Sequence, residues 1–278
     1  MTKKSTQASK KQAGKSIPIV VLTYNVLHEI DDPVKNKIKP CEKDACIRNV
    51  CEFIDQKAAE CDFIGIQEYS KIDKLTKYSK KLRGMGNSHA VYKTKPKLLR
   101  YGPITFYDTA KHTLDGECSS MKFGFGGKLG RGIQINFFNG GLCVINVHAG
   151  HAVKNKIDTF EDSLDAYLNG KYCEQNCKTA FVKKLQEYAI IMLGDMNDEM
   201  VNDFSFTVGG TERKLTGRTM QGTCCGDKRT MDGNNSSSGA YDHILSTLGT
   251  FPKGATTRVY TGLRMHSDHN PVKSTLRG

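Results

Sequence analysis

Five short apolar segments of this chain each carry a polar residue at one end, and no other feature constrains the fold as much. The segments are TYN with Asn25, IQE with Glu68, NVH with His148, LGDMN with Asp195 and Asn197, and YDHI with Asp242. A sixth, SDHNP near the C-terminus, supplies Asp268 and His269. The runs are β-branched and too short for helices, so they read as strands. Backbone pairing holds a strand end rigidly while its side chain points out of the sheet edge. Taken singly, each such residue is a turn former or a helix cap. Six of them predict a sheet that gathers polar groups along its edges.

The connections fit that sheet. IPIVVLTYNVL (17–27) reads as a buried strand, and Ile47, Val50, Ile54 and Ala58 form one apolar stripe over 43–59, a helix. DFIGIQE (62–68) is the next strand, and strand–helix–strand gives a parallel pair. Further strands are expected at Ile104–Tyr107, Gly132–Phe138, Leu142–His148, Ala189–Gly194, Asp242–Ser246 and Arg258–Thr261. A helix at 175–188 would bury Cys177, Phe181 and Leu185. FNGGL is a hairpin turn joining an antiparallel pair. Asp108 to Arg131, with GFGGKLGRG, reads as a flexible Gly-rich connection, and NNSSSG (234–239) as a mobile loop. The fold class is α/β, a mixed sheet layered with helices in one domain over 17–278, after a disordered basic tail at 1–16.

Composition narrows the function. Lys+Arg 41 against Asp+Glu 29 gives a net charge of +12, and residues 71–100 hold ten Lys or Arg against one acid, Asp73. That run follows Glu68 directly, so lysines for backbone phosphates and rings for bases are available beside a cleft, with Tyr69, Lys71, Tyr101 and Arg131 as substrate-binding candidates. The competing reading is a solvated helix face, with Lys74, Lys77 and Lys81 outside and Ile72, Leu75 and Leu82 inside. No apolar run approaches the roughly 20 residues of a membrane-spanning helix. No export signal is seen, so an intracellular protein, cytoplasmic or nuclear, with its ten cysteines as free thiols is expected. A zinc site is not: Cys173 and Cys177 could reach each other, but no second ligand pair accompanies them. Asn25, Glu68, Asp195, Asn197 and Asp268 are hard oxygen donors that suit Mg²⁺, with Mn²⁺ open, and the two histidines add proton transfer.

With these residues in this order, the chain resembles the endonuclease/exonuclease/phosphatase superfamily, the DNase I-like group. TYN, QE, NVH, GDxN, the strand-initial Asp of YDHI, and SDH followed by Pro271 carry the resemblance over 17–273. It implies a four-layer α/β/β/α sandwich in which two mixed sheets pack face to face. It further implies that Asn25 and Glu68 hold the metal with Asp268 assisting, and that Asp195 orients or deprotonates the attacking water. Asn197 would hold phosphate or metal, Asp242 would pair with His269, and His148 would bind phosphate or protonate the leaving oxygen. One departure stands out: the glutamate that supports the first histidine in DNase I is replaced by Tyr101 or Gly102, so His148 is expected to lack a carboxylate partner.

The chemistry implied is metal-assisted hydrolysis of a phosphoester by in-line attack of water. Three readings follow: a monomeric nuclease acting on DNA or RNA, a phosphoinositide phosphatase or phospholipid diesterase that would bind anionic lipid, and an inactive cationic nucleic-acid-binding scaffold.

Overall fold

The computed structural model describes residues 18–26, 44–69, 71–88, 102–124, 132–149, 168–170, 175–197, 203–217, 223, 240–248, 257–260, 267 and 269–277. The basic tail and the 234–239 segment lie outside them. One sheet holds β1 (Pro18–Asn25), β2 (Phe63–Gln67), β3 (Gly86–Asn87), β4 (Ile104–Tyr107), β12 (Arg258–Val259) and β13 (Val272–Arg277), in the order β12-β13-β1-β2-β4-β3. The other holds β5 (Ser120–Gly124), β6 (Gly132–Phe138), β7 (Leu142–His148), β8 (Ala189–Asp195), β9 (Asp203–Val208), β10 (Thr211–Gly217) and β11 (Asp242–Ser246), in the order β5-β6-β7-β8-β11-β10-β9. The helices are α1 (Ala45–Lys57), α2 (Ile72–Tyr78), α3 (Lys80–Arg83) and α4 (Gln175–Glu187).

Strand alternation sorts the side chains into three cores. Leu22, Tyr24, Ile64, Ile66, Ile104 and Phe106 face α1–α3, meeting Ile47, Val50, Ile54, Leu75 and Leu82. Ile133, Ile145, Val147, Ile190 and Met192 face α4, meeting Phe181 and Leu185. The opposite faces meet between the sheets, where Val21, Phe63, Val144, Ile191, Leu193 and Ile244 pack together. The result is helix, sheet, sheet, helix, and each fully buried Ile or Phe contributes about 1.5–3 kcal/mol to it.

Both sheets are mixed. β1 pairs parallel with β2 and β7 parallel with β8, as a helix-bearing crossover from β1 to β2 requires, while β6 and β7 form the expected antiparallel hairpin. The expected Gly-rich loop is not irregular throughout. Its described part contains β5, which pairs with β6, and Leu114 bridges to Phe138. Among the described residues no helix is long and apolar enough to cross a membrane.

The cysteines depart from expectation. Cys177 pairs with Cys118 rather than Cys173, with Cα atoms 5.7 Å apart, and Cys46 is also disulfide-bonded. Cys51, Cys61 and Cys143 remain free and buried. Burial pushes the Cys51 and Cys61 thiols up to about 12, so neither is a nucleophile. The expectation failed because it came from the absence of an export signal, whereas the pairing follows from where the β4–β5 connection meets α4. The Cys118–Cys177 bond closes a loop of separation 59. Cys118→Ser is therefore expected to cost about 4 kcal/mol of stability under oxidising conditions and nothing once reductant is present, read from urea unfolding with and without dithiothreitol.

Candidate active site

Register alone assembles most of the site. The parallel β1–β2 pair sets Asn25 beside Gln67, which brings Glu68 to the same edge. The parallel β7–β8 pair sets His148 beside Asp195, and the antiparallel β8–β11 pair sets Asp195 beside Asp242. β13 pairs with β1 from Thr23↔Val272, so the residues just before it run past the end of β1 and deliver His269. Ser267 Oγ pins that segment by donating to the Asn25 carbonyl at 2.7 Å while accepting from His269 N at 3.2 Å. Residues from both sheets thus meet at one mouth.

The contacts among them are close. Asn25 Nδ2 donates to Asp195 Oδ2 at 2.8 Å and lies 3.3 Å from Glu68 Oε1 and 3.4 Å from His269 Nε2. Asp195 Oδ1 accepts from Asn197 N at 2.9 Å. His269 Nδ1 donates to Asp242 Oδ2 at 2.8 Å, which turns Nε2 toward Asp195 Oδ2, 3.6 Å away. His148 Nε2 sits 3.2 Å from Glu68 Oε1 and 3.8 Å from Asp195 Oδ2. The carboxylates near His148 are thus the site's own acids, both on the Nε2 side of the ring.

Burial makes this arrangement costly. Asn25, His148, Asp195, Asp242 and His269 are all buried, and only Glu68 is partly open. Burial pushes the Asp242 carboxyl up to about 6, with the His269 ring pulling the other way. Glu68 itself takes φ 61, a left-handed conformation rare outside glycine, and turns off the end of β2 there.

The donor set fits a divalent cation. Ligand atoms of Glu68, His148 and Asp195 lie within 4.8 Å of one another, as do those of Asp195, Asp242 and His269. With its Nδ2 committed to Asp195, Asn25 keeps Oδ1 buried without a hydrogen-bond partner among the described residues. An orphaned amide oxygen on a residue that touches the Glu68 and Asp195 carboxylates is what a hard cation would satisfy.

The other candidates divide. Asn197 lies at the mouth with φ 49, its Nδ2 committed to the Ala149 carbonyl at 2.8 Å. Asp268, Tyr101 and Arg131 lie outside the described residues. Tyr69 corrects its expectation: it is 1% exposed in the helix-side core, so its ring has no face for a base. Lys71 is exposed at the start of α2, near the mouth.

The described part of the basic run is largely the outside of a helix. Lys74 pairs with Asp44 at 2.8 Å, and Arg83 donates to the carbonyls of Thr76 and Lys77. α2 and α3 lead away from the mouth, because β3 pairs with β4 at Tyr107, which pairs in turn with Phe63 at the opposite end of β2.

Thr223 escaped sequence reasoning. Its Oγ1 accepts from Tyr241 N and Asp242 N at 2.8 and 3.0 Å, and its carbonyl accepts from Asn270 N at 2.6 Å. It therefore grips both segments that bear the Asp242–His269 pair. A lone Thr inside QGTCC carries no signal for that.

No protein-family model matches the chain. Uncharacterized protein L684 of Acanthamoeba polyphaga mimivirus is 32% identical over 269 residues, covering 92% of this chain and 50% of its own length, so the chain spans about half of the curated relative it matches. Among solved structures, an endonuclease/exonuclease/phosphatase family protein from Bacteroides thetaiotaomicron is similar at TM-score 0.56 and 16% identity, covering 94% of this chain and 98% of that one. A D. rerio TDP2 complexed with a single-strand DNA product gives 0.55 and 14%, over 94% and 99%. ANGEL2, a 2′,3′-cyclic phosphatase in complex with adenosine-2′,3′-vanadate, gives 0.56 and 12%, over 94% and 96%.

Proposed function

We infer that this chain, which carries the fold of the endonuclease/exonuclease/phosphatase superfamily, is a divalent-metal-dependent phosphodiesterase acting on nucleic acid. The observation that carries the reading is the meeting of Asn25, Glu68, His148, Asp195, Asp242 and His269 at one mouth, drawn from both sheets. Asn25 Oδ1 and Glu68 would hold Mg²⁺ or Mn²⁺, with Asp268 the further ligand implied by the SDH motif. Once bound, the cation polarises a phosphoryl oxygen and offsets developing negative charge.

The remaining work falls to side chains. Asp195 has one oxygen fixed by Asn197 N and the other by Asn25 Nδ2, so its carboxylate is held in one orientation. That orientation suits it to align a water and take its proton as the water oxygen attacks phosphorus. Asp242 accepts from His269 Nδ1 so that Nε2 faces the mouth, where the doubly protonated ring would donate from Nε2 to a phosphoryl oxygen as charge builds. His148, beside Glu68, is placed to hold a second oxygen or to protonate the leaving alkoxide as its bond to phosphorus breaks.

Support for nucleic acid is chemical. The net charge of +12 favours a polyanion, and the TDP2 neighbour was solved with a single-strand DNA product. The test is a rate panel with the purified full chain: single- and double-stranded DNA, RNA, abasic DNA, inositol phosphates and sphingomyelin. Hydrolysis of nucleic acid that EDTA abolishes and Mg²⁺ or Mn²⁺ restores is expected. Turnover confined to inositol phosphates or sphingomyelin would move the reading to a phosphatase or lipid diesterase, and silence across the panel would leave a binding scaffold.

A further inference from the structure

Between the sheets, one step below the mouth, the packing is not apolar. Gln67 Nε2 donates to Asn146 Oδ1 at 2.6 Å and to Thr23 Oγ1 at 3.0 Å, and Asn146 Nδ2 donates to the Ile104 carbonyl at 2.9 Å. Thr23, Gln67 and Asn146 are fully buried. Each stands directly under a site residue: Thr23 two positions before Asn25, Gln67 next to Glu68, and Asn146 two positions before His148.

The inter-sheet face therefore changes character along its length. At the closed end Val21, Phe63, Val144 and Ile191 pack as an ordinary apolar core. In the middle lie the hydroxyl and two amides; at the mouth lie the ionisable groups. Gly65 makes the middle layer possible, because a Cβ there would lie 2.0 Å from Leu193 Cδ1 and 3.1 Å from Asn146 Nδ2. Without a side chain on β2 at that point, Asn146 can cross from the other sheet.

Burying amides in place of hydrocarbon gains little stability, since each must recover its lost hydration through hydrogen bonds. What directional bonds add is a single allowed relation between the strands that carry them. Glu68 needs that relation most. Its φ of 61 takes it off the strand, so Gln67 is the last residue held by the β1–β2 ladder before the carboxylate. Asn146 holds the same Gln67 from the strand that bears His148, and Glu68 and His148 touch across the sheets at 3.2 Å.

We propose that Thr23, Gln67 and Asn146 are positioning residues, a hydrogen-bonded layer that fixes Asn25, Glu68 and His148 relative to one another across the two sheets and so preforms the cation site. The inference rests on the metal-site reading above. A built-in comparison is available in Gln134, a buried amide of the same interface whose bonds go to Thr105 and Ser88, segments that carry no site residue.

The experiment is titration of the full chain with Mn²⁺ alone, followed by electron paramagnetic resonance, for the wild type, Asn146→Leu, Thr23→Val and Gln134→Leu, with thermal midpoints measured alongside. Asn146→Leu is expected to raise the Mn²⁺ Kd about 10- to 100-fold, the usual effect of removing a group that orients metal ligands. Gln134→Leu is expected to lower the midpoint comparably while leaving the Kd at the wild-type value. Equal Mn²⁺ affinities for Asn146→Leu and Gln134→Leu would overturn the proposal and reduce the layer to packing. Should Asn146→Leu fail to fold, the near-isosteric Thr23→Val decides: a raised Kd supports the layer, and wild-type affinity overturns it. Absence of Mn²⁺ binding by the wild type would instead overturn the metal-site reading itself.

Discussion

Asp195→Asn is expected to lower kcat on nucleic acid about 10²- to 10⁴-fold at saturating Mg²⁺, the range for losing a positioned proton acceptor. The change keeps the size of the side chain and removes its charge. It also removes an acceptor, because Asp195 takes a hydrogen bond on each oxygen, from Asn197 N and from Asn25 Nδ2. An asparagine amide has one oxygen, so whichever way it lies, one of those donors meets an NH₂ group. Loss of the proton acceptor and loosening of Asn25 then act together. A rate per folded molecule within about fivefold of wild type would remove Asp195 from the role assigned to it. Circular dichroism and the thermal midpoint of the variant establish the folded fraction against which the rate is expressed.

Much of this site was legible because strand periodicity and strand ends are local properties. β4, β6, β7 and β11 fall on the boundaries expected from sequence, and β1, β2 and β8 lie within a residue or two of them. Each site residue drawn from those strands was exposed to sequence reasoning by its place after an apolar run. The β9–β10 hairpin was missed although DFSFTVGGTERKLTG alternates correctly, with Phe204, Phe206 and Val208 buried and Gly209 and Gly210 at positive φ in the turn. β13 was missed for a better reason. VKSTLR is polar at four of its six positions, three of them consecutive, and it is a strand because β1 offers six paired positions to it.

What the sequence concealed is tertiary. Whether Tyr69 presents a ring to solvent or buries it depends on how α2 leaves β2, and no local pattern encodes that. Equally, a count of lysines cannot show that Lys74 is paired with Asp44, 30 residues earlier in the chain, or that α3 lies at the end of the sandwich away from the site. Thr223 is the extreme case: its function in the fold is to accept backbone donors from two segments that only the finished structure brings together.

Gly194→Ala is the substitution expected to damage the fold most. The glycine of the GDMN segment takes φ 142, and a Cβ built on it would lie 2.0 Å from the Val147 carbonyl oxygen and 2.8 Å from Val147 N and C. These are backbone atoms of the paired strand, so no side-chain rotation relieves the clash, and β7 and β8 must separate where His148 and Asp195 stand side by side. Two costs combine, the positive φ imposed on a residue with a Cβ and the overpacking, each about 1–3 kcal/mol. Together they predict a fall in thermal midpoint of roughly 5–20 °C for a domain of this size. Gly210→Ala separates the two terms, because Gly210 has φ 82 and open space around its missing Cβ. It should lose only the backbone term, about 1–3 kcal/mol. If Gly194→Ala proved no worse than Gly210→Ala, the close approach of β7 to β8 would be wrong, and with it the spacing of His148 and Asp195. The expected outcome instead gives the motif glycine a physical reason: only a residue without a side chain lets the strand carrying the carboxylate lie against the strand carrying the imidazole.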